Sequence, residues 1–239
     1  MDDTTRAGAV LEEFTLAARE AFADDLVSVV LFGSGAEGAL RAASDLNVLV
    51  VLRRFDPKKA SALAGPLRAG QAAARLRAMF LLEDEIPDAT RAFAVKFADI
   101  LRRHRVLFGS DPFAETAVPR DDLVLRLRQS LLNLTLRLRE AWTAQEGYPE
   151  QTTKTIADTA GPLRAAAASL LALEGHEALS PKEALKRVAE DVRGDPAAVL
   201  DSISAAREHR PLGPGEAERT LLFMIDLGLT MRERAARLS

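Results

Sequence analysis

Two short polar clusters stand at the edges of apolar runs, and they hold residue types suited to phosphate and cation chemistry. Gly33-Ser34-Gly35 follows the run Leu26-Val27-Ser28-Val29-Val30-Leu31-Phe32. A glycine turn of this kind lets backbone N–H groups and a hydroxyl approach a phosphate. Its plainer reading is a turn and nothing more. Asp45, after Ser44, opens a second run, Leu46-Asn47-Val48-Leu49-Val50-Val51-Leu52. Residues two apart on a strand share a face, so Asp45 and Asn47 point the same way. A carboxylate at a strand start is the hard oxygen ligand that Mg²⁺ takes. It serves equally well as an ion-pair partner or a cap.

Other chemistry is thinly represented. The chain has no cysteine, which excludes disulfides and thiolate metal sites. His104, His176 and His209 are far apart and form no zinc-ligand spacing. His104, between Arg103 and Arg105, reads as a structural histidine, and the other two as surface residues. Glu83-Asp84-Glu85 reads as a solvated helix start, with a displaced metal ligand as its sharper alternative. Across 239 residues the net charge is −3 and charged residues make up 28%. No basic face typical of a nucleic-acid binder is expected, and nucleic acid is not an expected partner. The start, Met1-Asp2-Asp3, lacks the layout of a signal peptide, and no apolar run reaches the length of a membrane span. The expectation is a cytoplasmic protein without a membrane partner.

The elements that must position these residues follow from periodicity. A helix is expected over about residues 4–23, with Val10, Phe14, Ala17 and Phe22 on one face. The runs 26–32 and 46–52 are β-branched and apolar, so both read as buried strands, joined by a short helix. Asp56 is an expected N-cap, with Pro57 at the first helical position. The helix from Pro57 reads on to Arg77, interrupted at Gly65-Pro66. Met79–Leu82 reads as a short strand, Ala92–Phe97 as a further strand, and Asp99–Phe108 as helix or irregular chain. Beyond Pro119 all is helical. Val124, Leu127, Leu131, Leu134 and Leu138 recur at spacings of three and four. Gly161-Pro162 marks a kink or break in the next helix. Ser180-Pro181-Lys182-Glu183 carries the capping pattern, Asp195-Pro196 opens another helix, and the last runs from Glu216. An antiparallel bundle is the expected form.

The strand, Gly33-Ser34, short helix and Asp45-x-Asn47 strand together resemble the core of the nucleotidyltransferase superfamily, which includes aminoglycoside nucleotidyltransferases and polymerase-beta-like enzymes. The stretch Phe93-Ala94-Val95-Lys96-Phe97-Ala98-Asp99-Ile100, then His104-Arg105-Val106-Leu107-Phe108-Gly109, is similar to a bacterial subgroup with a helical C-terminal half. The resemblance implies an α/β fold: a small mixed-sheet domain over residues 1–118, then a helical bundle over 119–239. It implies that Gly33 and Ser34 face a nucleotide and that carboxylates hold Mg²⁺ for transfer of a nucleoside monophosphate. The family pattern has Asp-x-Asp and a third carboxylate on a neighbouring strand. Here Asp45 is kept, Asn47 replaces the second acid, and Lys96 stands at the position matched to the third. A lysine there opposes a divalent ion and pairs with Asp45, or else holds a triphosphate as a point charge. The expected function is a nucleotidyltransferase-like protein with a degenerate metal site, weak or inactive in catalysis, acting as a binding or regulatory module. No cofactor is expected. The alternative is an active enzyme that uses Mg²⁺ and a nucleoside triphosphate to modify a small-molecule or protein hydroxyl. A nucleotide and a second copy of the chain are the possible partners.

Overall fold

The computed structural model describes residues 3–36, 45–177 and 179–238. The short helix expected between Gly35 and Asp45, with Ser44, lies mostly outside them. The chain forms two compact units. One comprises residues 1–92 and 97–118, the other 93–96 and 119–239.

The first unit is built on four strands, β1 (Leu26–Phe32), β2 (Leu46–Leu52), β3 (Leu76–Leu82) and β4 (His104–Gly109), in the order β3-β2-β1-β4. β1 pairs antiparallel with both β2 and β4, whereas β2 and β3 run parallel. The sheet is therefore mixed, as expected. β1 and β2 read as continuous apolar runs because both their faces are covered. One face carries Val29, Leu31, Val48 and Val50 against Phe14, Ala18 and Phe22 of helix α1 (Asp3–Phe22) and Leu63 of helix α2 (Pro57–Ala74). The other carries Val30, Leu49 and Val51 against Ile86 and Ala89 of helix α3 (Ile86–Ala92) and Phe97 and Ile100 of helix α4 (Ala94–Arg102).

Local chemistry sets the element boundaries. Asp56 caps α2, its carboxylate accepting from the N–H groups of Lys58 at 2.8 Å and Lys59 at 3.4 Å. Gly65-Pro66 does not interrupt α2, which runs unbroken with Pro66 inside. A proline costs its helix one hydrogen bond, and the packing of Leu63 and Gly70 offsets that loss. The helix ends earlier than its alanine and arginine content suggests. Arg75 takes a left-handed conformation (φ 52°), and its N–H caps the carbonyls of Gln71 and Gly70. The chain then turns directly into β3. Residues 92–97 are not a strand. Phe97, Ile100 and Leu101 recur at helical spacing, which buries one side of α4, whereas a strand would alternate and bury Phe93, which is 62% exposed. The strand beside β1 is instead β4, which corrects the expectation of helix or irregular chain over Asp99–Phe108.

At the edge of this sheet Asp25 is buried. Its carboxylate accepts from Arg54 Nε at 2.8 Å and from the Lys59 ammonium, and Lys59 also donates to the Phe22 carbonyl at 3.2 Å. These contacts tie the turn before β1 to α2.

The second unit is helical. Its helices are α5 (Arg120–Ala144), α6 (Pro149–Leu173), α7 (Pro181–Ala189), α8 (Pro196–Arg207) and α9 (Glu216–Ala236). α6 is central, in contact with α5, α7, α8 and α9. Gly161-Pro162 does not break it. The expected apolar stripe of α5 is the buried one: Val124, Leu127, Leu131, Leu134 and Leu138 all face the core. Ser180 and Glu183 form the expected capping box at α7. Arg234 of α9 donates to both oxygens of Glu174 and, at 2.8 Å, to Asp191, joining the end of α9 to the segments after α6 and α7. Among the described residues no helix is long and apolar enough to cross a membrane.

Candidate functional site

Asp45 stands immediately before β2, half-buried. Asn47 lies two residues on, pairs with Phe32 on β1, and lies beside Arg77 on β3. Phe32 in turn pairs with His104 on β4. Directly paired positions share a face. A row therefore crosses the sheet in the order Arg77, Asn47, Phe32, His104, with Asp45 at its margin.

At the Asp45 end of this row the described side chains form an ion pair. Arg77 Nε lies 3.5 Å from Asp45 Oδ2. Asn47 donates its amide N–H to the Asp45 backbone carbonyl at 3.4 Å, so the neutral side chain turns back on the main chain. Gly33-Ser34-Gly35 forms a single tight turn at the end of β1. Gly33 has φ 76°, a conformation that glycine adopts without strain. Its N–H donates to the Arg103 carbonyl at 3.0 Å. A Cβ at Gly33 would lie 4.0 Å from Asn47 Nδ2, an ordinary contact. Backbone conformation therefore requires the glycine there. The same distance shows that the turn and Asn47 are neighbours.

His104 is structural, as expected. Its Nδ1 lies 3.0 Å from the Ile100 carbonyl and its Nε2 3.3 Å from the Asp111 carboxylate. Its ring meets Phe113 edge to face at 5.6 Å. These contacts join α4, β4 and the turn that follows. Arg103 beside it is held by Asp99 at 2.9 Å.

Lys96 lies on α4, not on a strand of the sheet, so the expectation that it occupies a strand neighbouring Asp45 is corrected. Burial of its surroundings lowers the Lys96 ammonium pKa below the ordinary lysine range, although the residue still presents surface to solvent. The residue that the sheet places beside Asn47 on a neighbouring strand is Arg77. The sequence reading missed it because Ala74-Arg75-Leu76-Arg77 looks like the end of α2. A signal was present: Arg77 is the one charged residue in an otherwise apolar run from Leu76 to Leu82.

The acidic cluster is not near this row. Parallel register sets Leu76 beside Leu46 and Leu82 beside Leu52. Glu83-Asp84-Glu85 therefore follows the far end of β3, about 20 Å from Arg77 at roughly 3.3 Å per residue. Glu85 is engaged there, accepting from the Leu82 N–H at 2.9 Å. Among the described residues no group of three or more acidic or histidine side chains is placed to hold a metal ion. Among the described residues this row offers one carboxylate, one neutral amide and one guanidinium, a set that does not fit a two-metal centre.

No protein-family model matches the chain. A stretch of 50 residues, 21% of the chain, is 40% identical to a Methanocaldococcus jannaschii protein named "Putative protein adenylyltransferase", and spans 33% of that protein's length. The fold is similar to that of a spectinomycin adenyltransferase from Enterococcus faecialis, whose crystal structure contains ATP and spectinomycin. The TM-score is 0.61 and the sequence identity 14%, with 96% of this chain and 98% of that one covered. At such identity the likeness establishes the fold alone: an α/β nucleotidyltransferase-like domain followed by a helical region.

Proposed function

We propose, from the premise that the chain carries the nucleotidyltransferase fold, that it is a nucleotidyltransferase-like protein with a degenerate cation site. It is weak or inactive in catalysis and acts as a nucleotide-binding or regulatory module. The site belongs to a domain of residues 1–118, and the helical domain of 119–239 follows. The observation that carries the reading is the Arg77–Asp45 pair. The one carboxylate retained from the family pattern faces a guanidinium, and Asn47 adds no charge. A divalent ion seated on Asp45 would stand about 4 Å from Arg77, with a repulsion of about 2 kcal/mol even in a water-like dielectric.

The same arrangement suits an anion. The Gly33 N–H is held by the Arg103 carbonyl, so the turn offers the Ser34 hydroxyl and the N–H groups that follow it, and Arg77 supplies a planar fork that matches phosphate oxygens. Binding of a nucleoside triphosphate with little need for Mg²⁺ follows. The ATP in the structure of the similar spectinomycin adenyltransferase supports a nucleotide as the ligand class.

Thermal unfolding with ATP, in the presence and absence of Mg²⁺, tests this. A ligand that binds the native state raises the melting temperature with its concentration. The expected result is stabilisation by ATP that is unchanged by Mg²⁺ and lost in Arg77→Ala. Stabilisation that requires Mg²⁺ would overturn the degenerate-site reading. No response to ATP in either condition would remove the nucleotide from the proposal.

A further inference from the structure

The Gly33-Ser34-Gly35 turn hangs on a carbonyl from the corner between α4 and β4. Gly33 donates its N–H to the Arg103 carbonyl at 3.0 Å, whereas the bond from the Ala36 N–H to the Gly33 carbonyl, also 3.0 Å, closes the turn on itself. Among the described residues, the Arg103 carbonyl is therefore the backbone acceptor that ties the turn to another element. Arg103 is the single residue between α4, which ends at Arg102, and β4, which begins at His104.

That corner is held from several directions. The Arg103 N–H donates to the carbonyls of Asp99 and Ile100, each at 3.1 Å. Its guanidinium meets the Asp99 carboxylate fork to fork, Nε to Oδ1 at 2.9 Å and Nη2 to Oδ2 at 2.6 Å. Arg102 adds a bond to the same Oδ1 at 3.3 Å. Beyond the peptide that carries the carbonyl, the His104 ring is fixed by Ile100 and Asp111. The Arg103 and Asp99 side chains are 15% and 18% exposed, so little water competes for the pair. A bidentate pair fixes direction as well as distance. An ordinary carboxylate–arginine pair four residues apart on a helix adds little. Here the residue so held supplies the acceptor for Gly33, and Gly33 sets the direction of the Ser34 hydroxyl and of the N–H groups after it.

We propose that Asp99 is a positioning residue for nucleotide binding: through Arg103 it holds the carbonyl that orients the turn toward the phosphates. Asp99 touches no ligand itself. The inference rests on the nucleotide reading above and adds to it a residue outside the row of Arg77, Asn47, Phe32 and His104.

The sign of the effect separates positioning from charge. Asp99→Asn removes a negative charge near an anion site, so electrostatics alone would tighten ATP binding. Loss of the held geometry weakens it. Calorimetric titration of ATP without Mg²⁺, at a temperature where every variant is folded, tests this, with affinity in Asp99→Asn expected to be about tenfold lower than in the wild type. Asp25→Asn loosens the other end of β1; it lowers the melting temperature and leaves ATP affinity unchanged. In an Arg103→Ala background, Asp99→Asn costs no further affinity, because Asp99 acts through that guanidinium. If Asp99→Asn does not fold, Arg103→Lys, which keeps the charge and gives up the fork, carries the same test. Without any ligand, hydrogen exchange at the Gly33 amide speeds up in Asp99→Asn relative to the β1 amides. Affinity in Asp99→Asn equal to or above wild type would overturn the proposal and leave the nucleotide reading standing. A wild type that does not bind ATP would overturn the nucleotide reading; the Gly33 exchange rate then decides alone, and if unchanged it overturns the positioning as well.

Discussion

Converting the candidate site to a cation site should need two changes, Asn47→Asp and Arg77→Glu. Arg77 Nε is 3.5 Å from Asp45 Oδ2, and the two side chains are 73% and 39% exposed. A water-like dielectric is therefore appropriate. At about 4 Å a divalent and a unit charge then interact by about 2 kcal/mol. Removing the guanidinium relieves one such repulsion, and each new carboxylate adds one such attraction, for a sum of about 6 kcal/mol. Counter-ion screening and the cost of stripping water from the ion cancel much of this. If about half survives, affinity rises about a hundredfold, at 1.4 kcal/mol per decade. Arg77→Ala alone contributes about one third of the sum and gains about fivefold. Titration calorimetry with Mn²⁺ in low salt, on wild type and the two variants, measures the change. Wild-type affinity equal to that of the double variant, or an Arg77→Ala affinity that does not move, would refute the electrostatic reasoning.

Three further outcomes follow from the fold. Gly109 has φ 82°, and a Cβ there would meet the Val27 carbonyl at 2.1 Å. Gly109→Ala should therefore cost about 3 kcal/mol or more. Gly33→Ala, whose Cβ would come no closer than 4.0 Å to any described neighbour, should cost only the backbone penalty of about 1–2 kcal/mol; urea unfolding of both variants checks the order. Replacing Arg234 by Met removes the bonds to Glu174 and Asp191 from a partly exposed side chain, and should lower stability by about 1–2 kcal/mol in the same assay. Asp25 has its pKa lowered by the hydrogen bond from Lys59, partly countered by burial, with help from Arg54. A carboxylate held below its unfolded value stabilises the fold above that unfolded value and loses the contribution as pH falls through the folded one. The wild-type melting temperature should therefore fall below about pH 4, and Asp25→Asn, less stable at neutral pH, should show a shallower acid decline. Parallel declines would count against the assignment.

Most of the architecture was legible because its signals are local. The apolar runs 26–32 and 46–52 are bounded by polar turns and form β1 and β2 over those residues. Asp56-Pro57 and Ser180-Pro181 carry their own caps. The stripe from Val124 to Leu138 buries one face whatever its neighbours. The errors arose where tertiary contacts decide. Pro66 and Pro162 lie inside continuous helices because packing outweighs the lost hydrogen bond. Residues 93–97, Phe-Ala-Val-Lys-Phe, form a pattern open to either period, and the fit of Phe97 and Ile100 against the sheet selects the helix. Of the candidate site, Asp45, Asn47, Gly33 and Ser34 are named by the resemblance, and the structure sets the Gly33 turn beside Asn47. Lys96 was assigned to a strand that does not form, and Arg77 was concealed because cross-strand register cannot be read from a single segment.

Release of pyrophosphate from ATP and Mg²⁺ by the wild-type chain, compared with Asp45→Ala, tests the central claim most directly. A guanidinium paired with the only retained carboxylate predicts equal, background release from both proteins. Release from the wild type that Asp45→Ala abolishes would contradict it.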